Sequence, residues 1–334
     1  MLRIGIIGYG YWGPNLVRNF SAVEEAQVAK ICDLRPEALK RAAKANPHVE
    51  VVSDVRDVVE ASDIDAVVIA TPVSTHFELA KRALEHDKHV FVEKPFTSTT
   101  DQARELIELG DKKDRKIMVD HTFLFTSPVR KIKQLIDEGA LGELYYYDSM
   151  RVNLGLFQHD VNVVWDLAPH DLSIMDFLIK DKPVAIAANG IAHLGNGLHN
   201  VAYVTAHFAN SMIAHFNVNW LSPVKVRMTL IGGSKKMVVW NDLVTDEKIR
   251  VYDKGIEVKG GEGLYNLLVG YRSGDMWAPR LDYTEALKTE AEYFVRCVLR
   301  NETPFNDGYA GLRVVRMLEA CTESMAHGGK LVNL

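Results

Sequence analysis

The sequence predicts an α/β protein that opens on a doubly wound parallel sheet, and three observations carry that reading. Short apolar runs alternate with helix-spaced segments through the first third of the chain. A glycine-rich turn, Gly8-Tyr9-Gly10-Tyr11-Trp12-Gly13, joins the first run to the first helix. An acid, Asp33, closes the second run.

In order, the apolar stretch from Leu2 to Gly8 reads as a strand, the segment after Gly13 as a helix, and Ala26 to Asp33 as a strand, which makes a βαβ unit. A helix is expected from near Pro36, a short strand at Val51 and Val52, and a strong strand from Asp65 to Thr71. Helices near 76–85 and 101–113 flank a strand at His89 to Val92, and a sixth strand ends near residue 120. Six strands separated by helices imply a parallel sheet with both faces covered. From residue 122 the pattern changes: one helix over 127–142 gives way to β-rich stretches near 143–153, 200–219, 225–240 and 247–258, then to helices near 283–299 and 309–326. The expected domains are therefore 1–122 and 123–334. The glycine-containing segment 259–279 is expected to be a loop or lid.

Composition narrows the partners. A chain of 334 residues, 47% hydrophobic and 25% charged, is long enough for two cores. A net charge of −5 gives no basic surface for nucleic acid or an anionic membrane. No apolar run approaches the ~18 residues of a membrane span, and no basic stretch leads into an apolar one at the start. Three isolated cysteines, Cys32, Cys297 and Cys321, make no disulfide framework. These features fit a cytoplasmic protein with a small-molecule partner.

The glycine turn has a mechanism where it stands. Gly8 permits the tight turn, Gly10 lets a pyrophosphate approach the backbone, and Gly13 lets strand and helix pack closely. Asp33, at the end of the second strand, suits the ribose hydroxyls of NAD and repels the 2′-phosphate of NADP. Arg35, two residues on, is a cation able to accommodate that phosphate. Lys94 follows the fifth strand, at the edge where open parallel sheets bind ligands. A partly desolvated ammonium there can stabilise a developing alkoxide, and Glu93 can orient it.

The glycine turn, the stretch ATPVSTHFELAKRALEHDKHVFVEKP from Ala70 to Pro95 and WDLAPHDLSIMDFL from Trp165 to Leu178 resemble the Gfo/Idh/MocA oxidoreductases over essentially the whole chain. The resemblance implies a Rossmann domain followed by an α/β domain on a large, mostly antiparallel sheet that supports substrate binding and a homodimer or homotetramer. It implies that Lys94 is the catalytic lysine, preceding a cis-proline at Pro95. It also places Thr71, Pro72, His76, Glu93 and Lys94 with Gly8 to Gly13, Asp33 and Arg35 around the cofactor. Asp166 and His170 match the family's acid and imidazole beside the sugar. His170 is suited by its side chain to take a hydroxyl proton near neutral pH, and Asp166 to position the ring. Because Pro169 is expected to open a helix, the four-residue spacing does not by itself put the pair on one helical face. Arg151, Asn153 and Asn162 are candidate substrate contacts, with Arg151 able to bind phosphate or carboxylate in bidentate fashion. The cluster of His159, Asp160, Asp166, His170 and Asp171 has no recognised metal-ligand spacing, so no metal is expected.

The stretches NLGLFQHDVNVVWDLAPHD and NWLSPVKV look most like members acting on nucleotide-linked sugars. The expected activity is oxidation, with NAD, of a secondary hydroxyl at carbon 3 of a UDP-linked hexose such as UDP-N-acetylglucosamine or its uronate. A free polyol, inositol or sugar phosphate is the alternative substrate. A glycoside hydrolase using NAD transiently, or a non-catalytic sensor, is the alternative class.

Overall fold

The computed structural model describes residues 1–155, 161–195, 197–259 and 268–334, and the chain divides into two compact units. The first contains β1 (Leu2–Ile7), α1 (Gly13–Ser21), β2 (Ala26–Cys32), α2 (Pro36–Ala45), β3 (Glu50–Val52), α3 (Arg56–Val59), β4 (Ala66–Ile69), α4 (His76–Glu85), β5 (His89–Glu93), α5 (Thr100–Lys113) and β6 (Ile117–Asp120). Its six strands are all parallel, in the order β3-β2-β1-β4-β5-β6. The order reverses direction at β1, which makes the crevice beside β1 and β4 the topological switch point. Ala66, Val67, Val68 and Ile69 of β4 are all fully buried, as a strand covered on both faces requires. Burying each such valine or isoleucine stabilises the unit by roughly 1.5–3 kcal/mol.

The second unit begins with α6 (Ser127–Asp137), β7 (Leu144–Leu154), α7 (Val163–Leu178), β8 (Pro183–Ile191), β9 (Val201–Phe208), β10 (Ile213–Asn219) and β11 (Leu221–Gly233). It continues with β12 (Met237–Asn241), β13 (Ile249–Tyr252), β14 (Gly255–Lys259), β15 (Leu268–Arg272) and β16 (Met276–Trp277). α8 (Ala286–Leu299) and the start of α9 (Gly308–Ala326) belong to the first unit, and the end of α9 and β17 (Val332–Asn333) to the second. A nine-stranded sheet runs β16-β13-β12-β11-β7-β10-β9-β8-β17, antiparallel throughout except for β7 and β10. Strand alternation puts Ala214, Phe216 and Val218 of β10 in the core on the face that α7 covers. Tyr146, Met150, Tyr203 and Ile213 are exposed on the other face.

The expectation of 123–334 as one domain gives way to a different division. Residues 284–316 belong with 1–126, while 127–283 and 317–334 form the second unit. The cause is an aromatic cluster: Phe294 of α8 packs edge-on against Phe20 of α1 and Phe91 of β5, at centroid separations of 6.1 and 5.5 Å. Of the expected 259–279 loop, 260–267 lies outside the described residues, and β15 and β16 occupy part of the remainder. Among the described residues, no helix is long and apolar enough to cross a membrane.

Candidate functional site

In the first unit, the sequence-derived cofactor residues lie at the carboxyl edge of the parallel sheet, in the turns that follow it, or, for Gly13 and His76, at the first position of the next helix. Gly8 has φ +102°, and a Cβ there would come 2.4 Å from the Ala70 carbonyl oxygen after β4. A Cβ on Gly13 would come 2.2 Å from the Gly8 carbonyl oxygen. Both glycines are therefore dictated by close backbone approach. Gly10 differs, since the position of its missing Cβ meets only Arg35 Nη2 within 4 Å, at 3.5 Å. That open face is where a pyrophosphate needs room, so these residues fit a dinucleotide. Pro14 in the first turn of α1 leaves the helix start intact.

Asp33 is buried and fixed by the fold, with its Oδ2 accepting the Tyr9 backbone N–H at 2.8 Å and its Oδ1 the Arg35 backbone N–H at 2.9 Å. The Arg35 side chain binds both oxygens as well, Nε to Oδ1 and Nη2 to Oδ2, each at 3.0 Å. Burial alone would raise the Asp33 pKa, but hydrogen bonds and charge from Arg35 outweigh it and hold the carboxylate below its ordinary range. The Tyr9 side chain is buried, its hydroxyl accepting from Asn46 at 3.1 Å, whereas Tyr11 is exposed.

Beyond β4, Thr71 and Pro72 form a turn closed by Thr75, whose hydroxyl donates to Pro72 O at 2.8 Å. His76 is buried, with one ring nitrogen 2.8 Å from Thr71 O and the other 2.9 Å from Pro95 O. Burial lowers its pKa, and a neutral ring can donate to only one of those carbonyls at a time. His76 thus ties the β4 turn to the β5 turn, which carries Lys94 and a cis Lys94–Pro95 bond.

Glu93 accepts the Lys94 backbone N–H at 3.0 Å, so it holds the main chain of the lysine turn. Burial pushes the Glu93 carboxyl well above its usual range, and the neighbouring charge of Asp120 adds to the effect. Asp120, at the end of β6, accepts from Trp12 Nε1 at 3.1 Å and from the Thr122 N–H at 3.2 Å. Glu290 of α8, fully buried, is also raised by burial and then by Asp120; Asn306 donates to its Oε1 at 3.3 Å. The sequence reading did not single out Asp120 or Glu290. The available signal was an acid on the apolar stripe of a helix, four residues before Phe294.

In the second unit, α7 starts at Val163 and runs through Pro169, which corrects the expectation that the proline opens it. Asn162 caps the helix, its side-chain oxygen accepting from the N–H groups of Val164 and Trp165 at 3.0 and 3.1 Å. Asp166 and His170 therefore do share a helical face, one turn apart. Buried Trp220 donates its Nε1–H to Asp166 Oδ2 at 3.0 Å. A Cβ on Gly155 would come 2.7 Å from the Trp220 ring, so glycine is what lets the indole lie there.

Arg151 is also corrected. Its side chain is 5% exposed and that of Asp171 3%, and Nε and Nη2 meet the two Asp171 oxygens at 2.7 and 3.0 Å. A guanidinium matched in this way holds α7 against β7 beside His170, so Arg151 is not assigned to phosphate. Asn153 is half-buried on β7, two residues along and on the same strand face as Arg151. His159 and Asp160 lie outside the described residues. Among the described residues, no group of three or more His, Cys, Asp or Glu is placed to hold a metal ion.

Comparison with known proteins agrees with this architecture. Residues 2–121 match the oxidoreductase family with an NAD-binding Rossmann fold, and 129–239 match the GFO/IDH/MocA C-terminal domain. The chain belongs to the Gfo/Idh/MocA family of oxidoreductases. It is 35% identical over 217 residues to the uncharacterized oxidoreductase YdgJ of Escherichia coli, a match spanning 61% of each chain. It is 26% identical over 327 residues, 94% of each chain, to UDP-N-acetylglucosamine 3-dehydrogenase of Acidithiobacillus ferrooxidans. The solved structure of an enzyme of that name and organism covers 98% of each chain with a TM-score of 0.81 at 24% identity, a likeness of fold. Inositol 2-dehydrogenase of Rhizobium meliloti is 23% identical over 343 residues, 97% of each chain.

Proposed function

We propose that the protein is an NAD-dependent dehydrogenase that oxidises a secondary hydroxyl, at carbon 3, of a UDP-linked hexose such as UDP-N-acetylglucosamine or its uronate. The observation that carries the reading is the placement of Lys94 after β5, on the same sheet edge as the open Gly10 turn and buried Asp33. The near full-length similarity to a UDP-N-acetylglucosamine 3-dehydrogenase supports the substrate class.

Bound NAD supplies the acceptor for the hydride leaving the carbinol carbon. The Lys94 ammonium stabilises the hydroxyl oxygen as it gains negative charge, and the sequence resemblance gives the imidazole of His170 the role of taking the proton. Asp166, held by Trp220, positions the ring. Glu93 and His76 fix the Lys94 turn through backbone hydrogen bonds and so keep the ammonium's base rigid. Asp33 favours NAD by repelling a 2′-phosphate. The exposed apolar face bearing Tyr146, Met150, Tyr203 and Ile213 supports assembly as a homodimer or homotetramer.

The test is NADH absorbance across nucleotide sugars, free sugars, sugar phosphates and polyols. UDP-linked N-acetylhexosamines or their uronates should turn over, whereas the free hexosamine should be slower in kcat as well as weaker in KM, because a remote nucleotide contributes orientation as well as affinity. The similarity to an inositol 2-dehydrogenase favours a second reading, a free cyclic polyol. Strong turnover of inositol with none for any nucleotide sugar would establish it in place of the first.

A further inference from the structure

We infer that Glu290 of α8 is a positioning residue for the dinucleotide site: it carries a proton on Oε2 and donates it to Asp120, which holds the glycine turn through Trp12 and meets the lysine turn through Glu93. The inference rests on the dehydrogenase reading for the identity of the ligand.

The donors decide where the proton lies. Asp120 is buried at the end of β6, paired across the sheet with Glu93 at the end of β5. Trp12 Nε1 donates to its Oδ2 at 3.1 Å, and the Thr122 N–H, at 3.2 Å, and hydroxyl both donate to its Oδ1. Three donors on one carboxyl suit the ionised form. Glu290 is the opposite case. It is fully buried, and its Oε1 accepts from Asn306 Nδ2 at 3.3 Å, an amide fixed in turn by a 2.8 Å bond to Val119 O. Its Oε2 is buried and meets no N–H or O–H donor among the described residues. The Thr122 hydroxyl lies beside Glu290, but its one proton goes to Asp120. Glu290 is nevertheless in hydrogen-bond contact with Asp120, and so is Glu93. Two carboxyl groups make such a bond only when one of them carries a proton. The Glu290 oxygen that meets no donor is the one that supplies it. Burial and then the charge of Asp120 raise both glutamates, in keeping with neutral acids on either side of one carboxylate. The other titratable groups at the trio are Lys94, next to Glu93, and buried His121, next to Asp120.

Both turns around the cofactor meet at this acid. Trp12 is the residue at which α1 begins, directly before Gly13, and its indole reaches Asp120, 108 positions on. Glu93 holds the lysine turn through the Lys94 backbone N–H. Glu290 touches neither turn and acts on them only through Asp120. If Glu290 loses its proton, two negative charges face each other in a buried site, and their repulsion loosens the hold of Asp120 on Trp12. A glutamine at 290 reproduces the neutral acid, with a carbonyl oxygen for Asn306 and an N–H for Asp120, and it cannot ionise. An alanine supplies neither.

Melting curves and NADH fluorescence titrations without substrate, from about pH 5 to 9, test this in wild type, Glu290→Gln and Glu290→Ala. A carboxyl whose folded pKa lies above its unfolded one loses stability as pH climbs between the two, so Glu290→Gln should gain on wild type in melting temperature over that climb. Near pH 6 the glutamine variant should bind NADH within about twofold of wild type, and the alanine variant about fivefold to tenfold more weakly, the scale of one hydrogen bond. Towards pH 9, wild-type affinity should fall while that of Glu290→Gln holds. A melting difference between Glu290→Gln and wild type that does not change with pH would show that Glu290 carries no proton and reject the inference. NADH affinities with the same pH dependence in wild type and Glu290→Gln would reject the positioning role, and in both cases NADH binding by wild type leaves the dehydrogenase reading standing. If wild type binds no NADH at any pH, both fall.

Discussion

Lys94→Ala is expected to lower turnover by about a thousandfold while NADH affinity stays within about twofold of wild type. In the proposed mechanism the ammonium meets a charge that exists only as the hydroxyl loses its proton, so its removal should act on the transition state and leave the bound cofactor unaffected. The turn itself should survive, because it is held by the Glu93 bond to the Lys94 backbone and the His76 bond to Pro95 O, neither of which involves the lysine side chain. His170→Ala should lose turnover on a similar scale. Full activity in Lys94→Ala under chemistry-limited conditions would return Lys94 to the role of a solvated residue at a strand end.

Arg151→Ala is expected to be the most damaging single change to the second unit. It leaves Asp171 as an uncompensated charge at a site only 3% exposed, a situation that costs roughly 3–5 kcal/mol. For a unit of this size, the melting transition should fall by about 10 °C. The double variant Arg151→Met with Asp171→Leu should recover much of the loss, because apolar residues of similar volume replace a buried pair with little penalty. If Arg151 instead served phosphate, the single variant would melt like wild type and show only a raised KM for nucleotide sugars.

These two residues mark where the sequence was legible and where it was not. Lys94, Asp33 and the glycine turn were readable because strand, turn and helix follow one another within a few residues, and a parallel sheet places every strand end on one edge. Arg151 was not readable, because its partner is twenty positions away on another element and the fork that joins them depends on tertiary packing. The same holds for Pro169, which looked like a helix start. The Asn162 cap fixes the true start at Val163, and the helix accommodates the proline within it. Asp166 receives its orienting bond from Trp220, fifty-four residues on. Glu290 was hidden by type as well as distance: an acid on an apolar stripe reads as an exception until Asp120 and Asn306 are seen against it. The return of 284–316 to the first unit depends on Phe294 meeting Phe20 and Phe91, a contact that helical periodicity alone does not identify.

The proposed reaction is a net two-electron oxidation at carbon 3 of a nucleotide-linked sugar. Incubation of the protein with NAD and UDP-N-acetylglucosamine deuterated at carbon 3 tests it most directly, by mass analysis of both products. One deuterium is expected in the reduced dinucleotide for each sugar nucleotide that becomes a ketone, with the UDP linkage intact. Release of free sugar without accumulation of reduced dinucleotide, or reduced dinucleotide that carries no deuterium, would contradict it.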